Sequence, residues 1–231
     1  MRLRGLFLGL LLSLPLLIQA QEKRNIRINA GIKAGFQAVT YNDPEFKIDG
    51  YIFDYNNIQS NKIGYTISPF ARISKWRFYL QTEVTFGITN HSFDFHDEDT
   101  TPGEDFTPNN TVYDLRTYSI QVPIIFGVNI LEGDRYCLSI FTGPRTNFII
   151  SPLTEQNFKH FEYEHLEEVL NNKNYYWEIG LGIKISRVFL DITFDAGINK
   201  ASSHIISHDD GKIFTSSRRD NVLSFSVGFL F

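Results

Sequence analysis

The sequence predicts an all-β chain: an eight-stranded antiparallel up-and-down transmembrane β-barrel of outer-membrane type, preceded by a cleaved signal peptide. Three observations carry this. The N-terminus has the three parts of an export leader. The rest of the chain alternates large apolar and small polar residues with period two. The links between the alternating segments are short and long in turn.

In the leader, Arg2 and Arg4 form a positive region and Gly5 to Ile18 an apolar, Leu-rich run. Ile18-Gln19-Ala20 then offers a small residue before the polar Gln21-Glu22-Lys23-Arg24. That is the pattern of a secretory signal peptide over 1–20, leaving 21–231 as the barrel domain. Its removal takes Arg2 and Arg4 and shifts the net charge from -4 to -6. No later run reaches the roughly 20 apolar residues that a membrane helix needs. An exported chain of this kind is then soluble beyond the inner membrane or a closed barrel.

Eight segments alternate. Over 26–38, Ile28, Ile32 and Phe36 oppose Asn29, Lys33 and Gln37. Over 65–73, Tyr65, Ile67, Ala71 and Ile73 oppose Thr66, Ser68 and Arg72. Over 78–88, Phe78, Leu80, Val84, Phe86 and Ile88 oppose Gln81, Glu83, Thr85 and Gly87. Over 118–130, Tyr118, Ile120, Val122, Ile124, Phe126 and Val128 oppose Ser119, Gln121, Gly127 and Asn129. Over 136–150, Leu138, Ile140 and Phe148 oppose Ser139, Gly143, Arg145 and Asn147. Over 175–185, Tyr175, Trp177, Ile179, Leu181, Ile183 and Ile185 oppose Glu178, Gly180, Gly182 and Lys184. Over 188–198, Val188, Leu190, Ile192 and Phe194 oppose Asp191, Thr193 and Asp195. Over 221–231, Leu223, Phe225, Val227, Phe229 and Phe231 oppose Ser224, Ser226 and Gly228.

Alternation alone also fits a soluble sandwich. Rings at the ends of the apolar faces tilt the reading toward membrane: Trp76, Tyr118, Tyr175 and Trp177 stand where interfacial girdles belong. Links near Ser74-Lys75, Leu131 to Asp134 and Ser186-Arg187 are short. Those over Asn42–Lys62, Asn90–Val112, Ser151–Asn174 and Ala201–Asp220 are long and polar. This is the arrangement of periplasmic turns and extracellular loops, and it puts both termini in the periplasm. Phe225, Phe229 and Phe231 form an aromatic C-terminal insertion signal for the barrel-insertion machinery.

Composition narrows function. At 15% aromatic with 21 Phe, the chain is not disordered. One Cys excludes an internal disulfide. A pI of about 5.9 argues against nucleic acid as a partner. The mean hydropathy of -0.17 looks soluble, but it averages two alternating populations.

Gly31-Ile32-Lys33-Ala34-Gly35-Phe36, Leu80-Gln81-Thr82-Glu83, Ser119-Ile120-Gln121-Val122-Pro123-Ile124 and the ending Phe225 to Phe231 resemble the PorT-type outer-membrane β-barrel family of Gram-negative bacteria. The resemblance implies an outer-membrane location and eight strands, and assigns no substrate.

The lumen of so small a barrel is filled by side chains. Its register holds Arg27, Lys33, Arg72, Arg145 and Lys184 against Glu83, Glu178, Asp191 and Asp195, which predicts a salt-bridged plug in place of a pore. Arg145 is expected between Glu178 and Asp195. The six His fall in the expected loops, and the second loop is acidic through Asp94, Asp97, Glu98, Asp99, Glu104 and Asp105. None has metal-motif spacing, so no metal or cofactor is expected. The third loop spaces Phe158, Phe161, His165, Leu166 and Val169 like a short helix.

The expectation is a non-enzymatic, monomeric barrel in outer-membrane lipid, with loops that bind an unidentified protein or surface ligand. One alternative is a lipid-modifying enzyme, for which Ser202-Ser203-His204 is the only candidate. Another is a soluble periplasmic ligand-binding barrel.

Overall fold

The computed structural model describes residues 26–48, 51–53, 63–97, 111–133, 135–161 and 165–231. The leader over 1–20, and Glu98, Asp99, Glu104 and Asp105, lie outside the described residues.

The strands are β1 (Ile26–Ile48), β2 (Tyr51–Phe53), β3 (Gly64–Lys75), β4 (Phe78–Glu83), β5 (Thr85–Asp97), β6 (Thr111–Glu132) and β7 (Tyr136–Ile149). They continue with β8 (Glu155–Lys159), β9 (Leu166–Leu170), β10 (Lys173–Ile185), β11 (Val188–Gly197), β12 (Ser202–Ser207) and β13 (Ile213–Leu230). All pair antiparallel in one sheet. Eight staves close a ring in chain order, because β1 pairs β13 from Gly31↔Leu230 upward. One stave is β4 followed by β5. The break at Val84 falls between Pro69 of β3 and Pro123 of β6, which have no N–H for a ladder. Val84 N still donates to Pro69 O at 3.1 Å, and the register runs on.

The predicted alternation holds on the wall. On β10, Tyr175, Trp177, Ile179, Leu181, Ile183 and Ile185 face out while Tyr176, Glu178 and Gly180 are buried. Leu223, Phe225, Val227, Phe229 and Phe231 face out on the last stave. At one end the tight turns carry Trp76 and Ser186 in the left-handed region, at φ 55° and 57°. Trp76 is thus in the turn itself, which is Trp76-Arg77 rather than Ser74-Lys75.

Toward the other end, Phe36, Tyr65, Ile88 and Tyr118 are successive cross-strand partners over four staves. Phe36 and Tyr65 meet edge to face with ring centroids 5.7 Å apart. Beyond this row the outward face turns polar. Arg116 Nε donates to Asn90 at 2.9 Å, Ser92 Oγ donates to Asp114 at 2.7 Å, and Lys159 pairs with Asp114 at 2.9 Å. The apolar parity inverts at the same level. Phe86 and Ile88 face out on β5, whereas His91, Phe93 and Phe95 are buried; on β6, Tyr113 and Leu115 are buried. Such an inversion is expected where an apolar surrounding gives way to water.

Three expectations change here. Among the described residues the long links are largely strand: β1, β5, β6 and β13 run on into them, and β2, β8, β9 and β12 are added. They are not wholly polar, because Ile48, Phe93, Phe95, Tyr113, Leu115, Leu166, Ile205 and Phe214 form a core packed with Phe158 and Phe161. After a 3-10 turn at Ser151–Leu153, Phe158, Leu166 and Val169 stand on β8 and β9 and not on a helix. Phe158 lies parallel to the Tyr113 ring at 4.0 Å, and β8 pairs β6, so cross-strand partners override the helical spacing.

Candidate functional site

The lumen network starts from inward positions on separate staves, joined by register. Glu178 of β10 stands opposite Asp195 of β11. Arg145 of β7 pairs with Asp195 and also donates to Gln121 Oε1. It therefore ties β11 to β6 and does not bridge Glu178 and Asp195 as expected. The Gln121 amide supplies the second acceptor from the adjacent stave, where Pro123 is the register partner of Arg145. Lys33 lies 2.8 Å from Glu83 and 3.8 Å from Asp191. Gln81 donates to Glu83 at 2.5 Å and accepts from Arg72 Nε at 2.5 Å. The structure thus brings together Lys33, Glu83 and Asp191 in one group, and Arg145 with Asp195 in a second. Lys184 joins neither: it lines a vestibule at the end with the short turns.

Below the charges the lumen is aromatic. Phe70, Phe189 and Leu230 form one cluster, and Tyr79, Ile125 and Phe141 another. Their rings lie where Gly31, Gly127, Gly180 and Gly228 have no Cβ; a methyl group at Gly228 would overlap the Phe189 ring. The sequence reads this face as rich in Gly, Ser and Thr with balanced charges, and does not show that rings fill it. Phe189, on the polar register of its own strand, was the available signal.

Above the charges is a chamber of about 30 Å³ lined by Gln37, Asn147, Arg145, Arg218 and Asp220. Gln37 Oε1, Asn147 Oδ1 and Arg145 Nε are buried without a protein partner. A chamber of that size has room for water to bridge them.

The core beyond the aromatic row has its own polar centre. Glu168 accepts from Tyr113 Oη at 2.7 Å and Ser216 Oγ at 2.9 Å, and lies 3.6 Å from Arg218. The Gln156 side chain gives and takes bonds with the Glu168 backbone at 2.9 and 2.7 Å, joining β8 to β9 without a ladder. Burial would lower the Arg218 pKa, but Asp220 and then Glu168 more than offset this and raise it. Burial raises the Tyr113 hydroxyl well above its usual value, and Glu168 adds to it. His91, expected in a loop, is buried on β5 with Nδ1 2.7 Å from Tyr41 Oη. Desolvation first, and Arg218 second, hold its pKa well below 6.5. The ring is therefore neutral, and its Nδ1 accepts a hydrogen bond from the Tyr41 hydroxyl. His204 is likewise on a strand, β12, and His96 is on β5.

The Ser202-Ser203-His204 run does not assemble as a nucleophile with its base. Ser202 Oγ shares a hydrogen bond with Ser216 Oγ at 3.0 Å, and Ser203 Oγ donates to Val169 O at 3.3 Å. Among the described residues no group of three His, Cys, Asp or Glu side chains is placed to hold a metal.

Comparison with known families decides the class. The model of the family described as outer membrane protein beta-barrel domain matches residues 13–203. The chain belongs to that family. An outer-membrane location follows, and the outward apolar wall is its lipid contact. No curated protein matches the chain. Among solved structures it is similar to Ail, the attachment invasion locus protein of Yersinia pestis, crystallised with the heparin analogue sucrose octasulfate. The identity is 11%, the match covers 88% of this chain and 99% of that one, and the TM-score is 0.38. Outer membrane protease OmpT from Escherichia coli is similar at 8% identity, over 88% and 96% of the two chains, with a TM-score of 0.41. The translocator domain of the autotransporter NalP from Neisseria meningitidis is similar at 8% identity, over 98% and 97%, with a TM-score of 0.31.

Proposed function

We propose that this outer-membrane barrel is non-enzymatic, that its lumen does not conduct, and that its extracellular sheet binds an unidentified protein or surface ligand. The observation that carries the reading is the continuation of the staves beyond the Phe36–Tyr118 row as a sheet with its own buried core. A barrel needs no such superstructure to span lipid. A rigid sheet held by Glu168, Arg218 and Tyr113 presents a fixed surface, which lowers the ordering cost of binding.

In this reading the leader over 1–20 is removed, and the termini and short turns face the periplasm. The barrel is a monomer. Phe225, Phe229 and Phe231, all outward, engage the insertion machinery. Within the family we assign the chain to the PorT-type branch on Gly31 to Phe36, Leu80 to Glu83 and Ser119 to Ile124, all on barrel staves.

The test is labelling of intact cells with a membrane-impermeant maleimide. Arg116→Cys, above the aromatic row, should label, and Arg187→Cys, in a short turn, should not. The reverse pattern would contradict the orientation. Turnover of outer-membrane lipid by the purified protein, lost in His204→Ala, would contradict the non-enzymatic reading.

A further inference from the structure

The lumen opens at the short-turn end into a vestibule of about 450 Å³, within the size range of small-ligand sites. Arg27, Arg72, Arg77 and Lys184 line it, against Glu132 and Asp191. Asp191 is already engaged by Lys33 at 3.8 Å. None of the four vestibule cations has a carboxylate within 4.0 Å among the described residues, in contrast to Arg145 with Asp195 and Arg218 with Glu168.

Arg72 is also held in place. Its guanidinium lies over the Tyr79 ring at 4.2 Å, with Phe189 and Phe70 at 5.8 and 5.9 Å. Its Nε is fixed on Gln81 Oε1 at 2.5 Å. Both terminal nitrogens are therefore left for another acceptor, on a group whose orientation is set before anything binds. A planar guanidinium fork matches two oxygens of a phosphate, and an excess of cations around it favours a multiply charged anion. Ser74 and Asn29 add neutral donors to the same wall.

We propose that this vestibule is a binding site for a phosphate group, with Arg72 as the bidentate anchor and Arg27 and Lys184 as flanking charges. The proposed orientation supplies only the compartment from which the ligand enters; the chemistry of the cavity does not depend on it.

Trp76 lines the same cavity and reports its occupancy. The experiment uses the refolded full chain in nonionic micelles, with Trp177→Phe to leave Trp76 as the only Trp. Inorganic pyrophosphate is titrated in one arm and phosphatidylglycerol in the other. Saturable change of Trp76 fluorescence with pyrophosphate is expected. Arg72→Gln should weaken it at least tenfold, Lys184→Gln less, and Arg187→Gln not at all. Saturation by phosphatidylglycerol alone, lost in Arg72→Gln, would support the phosphate site and assign it to a lipid headgroup. Saturation by neither, or affinity unchanged by Arg72→Gln in a variant that migrates as folded, would overturn the proposal. Neither result bears on labelling at Arg116, so the two readings fail separately.

Discussion

Ile88 and Phe93 stand on the same strand and face opposite ways: Ile88 is 37% exposed and Phe93 is 1% exposed. Between them the surroundings of the wall change from hydrocarbon to water. The same inversion separates Tyr118 from Tyr113 on β6. A charge placed on either side of that level meets different media. Leu181→Arg, in the middle of the lipid wall, should destabilise by about 2–4 kcal/mol, and Asn90→Arg, above the row, by under about 1 kcal/mol. Urea midpoints of refolded protein in lipid vesicles measure both. Equal costs would mean that the aromatic row is not the membrane boundary.

Lys33 is the single cation within 4.0 Å of either Glu83 or Asp191 among the described residues. Lys33→Met leaves both carboxylates buried without it and should cost about 3–5 kcal/mol. Lys33→Met with Glu83→Gln should recover part of that loss, because one stranded charge is gone. The same urea midpoints read the cycle. A cost under about 1 kcal/mol in the single variant would show that the pair does not hold the plug.

His91 makes the sheet beyond the aromatic row sensitive to acid. The folded ring stays neutral because its pKa is held well below 6.5 by burial and then by Arg218. The unfolded chain takes the proton near pH 6.5. Above that pH the residue has no effect on the balance. Below it, stability falls by about 1.4 kcal/mol per pH unit until the folded ring itself titrates. Protease cleavage of the sheet at pH 7.5 and 5.5 should therefore increase in the parent protein. It should increase less in His91→Gln, which keeps an acceptor for Tyr41.

Gly228 is set by Phe189, not by the turn or by backbone conformation. Gly228→Ala should cost about 1–3 kcal/mol through overpacking. Gly211 is the contrast: at φ 69° with open space around it, Gly211→Ala is strained by backbone alone. Gly228→Ala combined with Phe189→Leu should cost less than the sum of the two single changes, measured by unfolding in urea.

The staves were legible because every wall residue answers to one of two environments. Trp177 against Glu178, or Phe225 against Ser226, states the register in two letters. The interior charges followed from the same parity, and Lys33, Glu83 and Arg145 are found inside. Which acid meets which base was not legible. It depends on the stagger of the staves, so Arg145 reaches past β10, the stave of Glu178, to Asp195 and turns its other nitrogen to Gln121 on the adjacent β6. The sheet beyond the aromatic row was not legible because its apolar residues change parity. His91, Phe93 and Phe95 alternate with Ser92, Asp94 and His96 as regularly as the wall does, one position out of step. A search for continued outward hydrophobicity reads that segment as a loop. A search for inverted alternation would have found it.

In the proposed reading Lys33, Arg145 and their partners fill the lumen as a plug. Single-channel recording of the purified, refolded protein in planar bilayers tests it most directly. The prediction is a baseline without steady openings at neutral pH and moderate salt. Steady conductance on the nanosiemens scale from folded, heat-modifiable protein would contradict it.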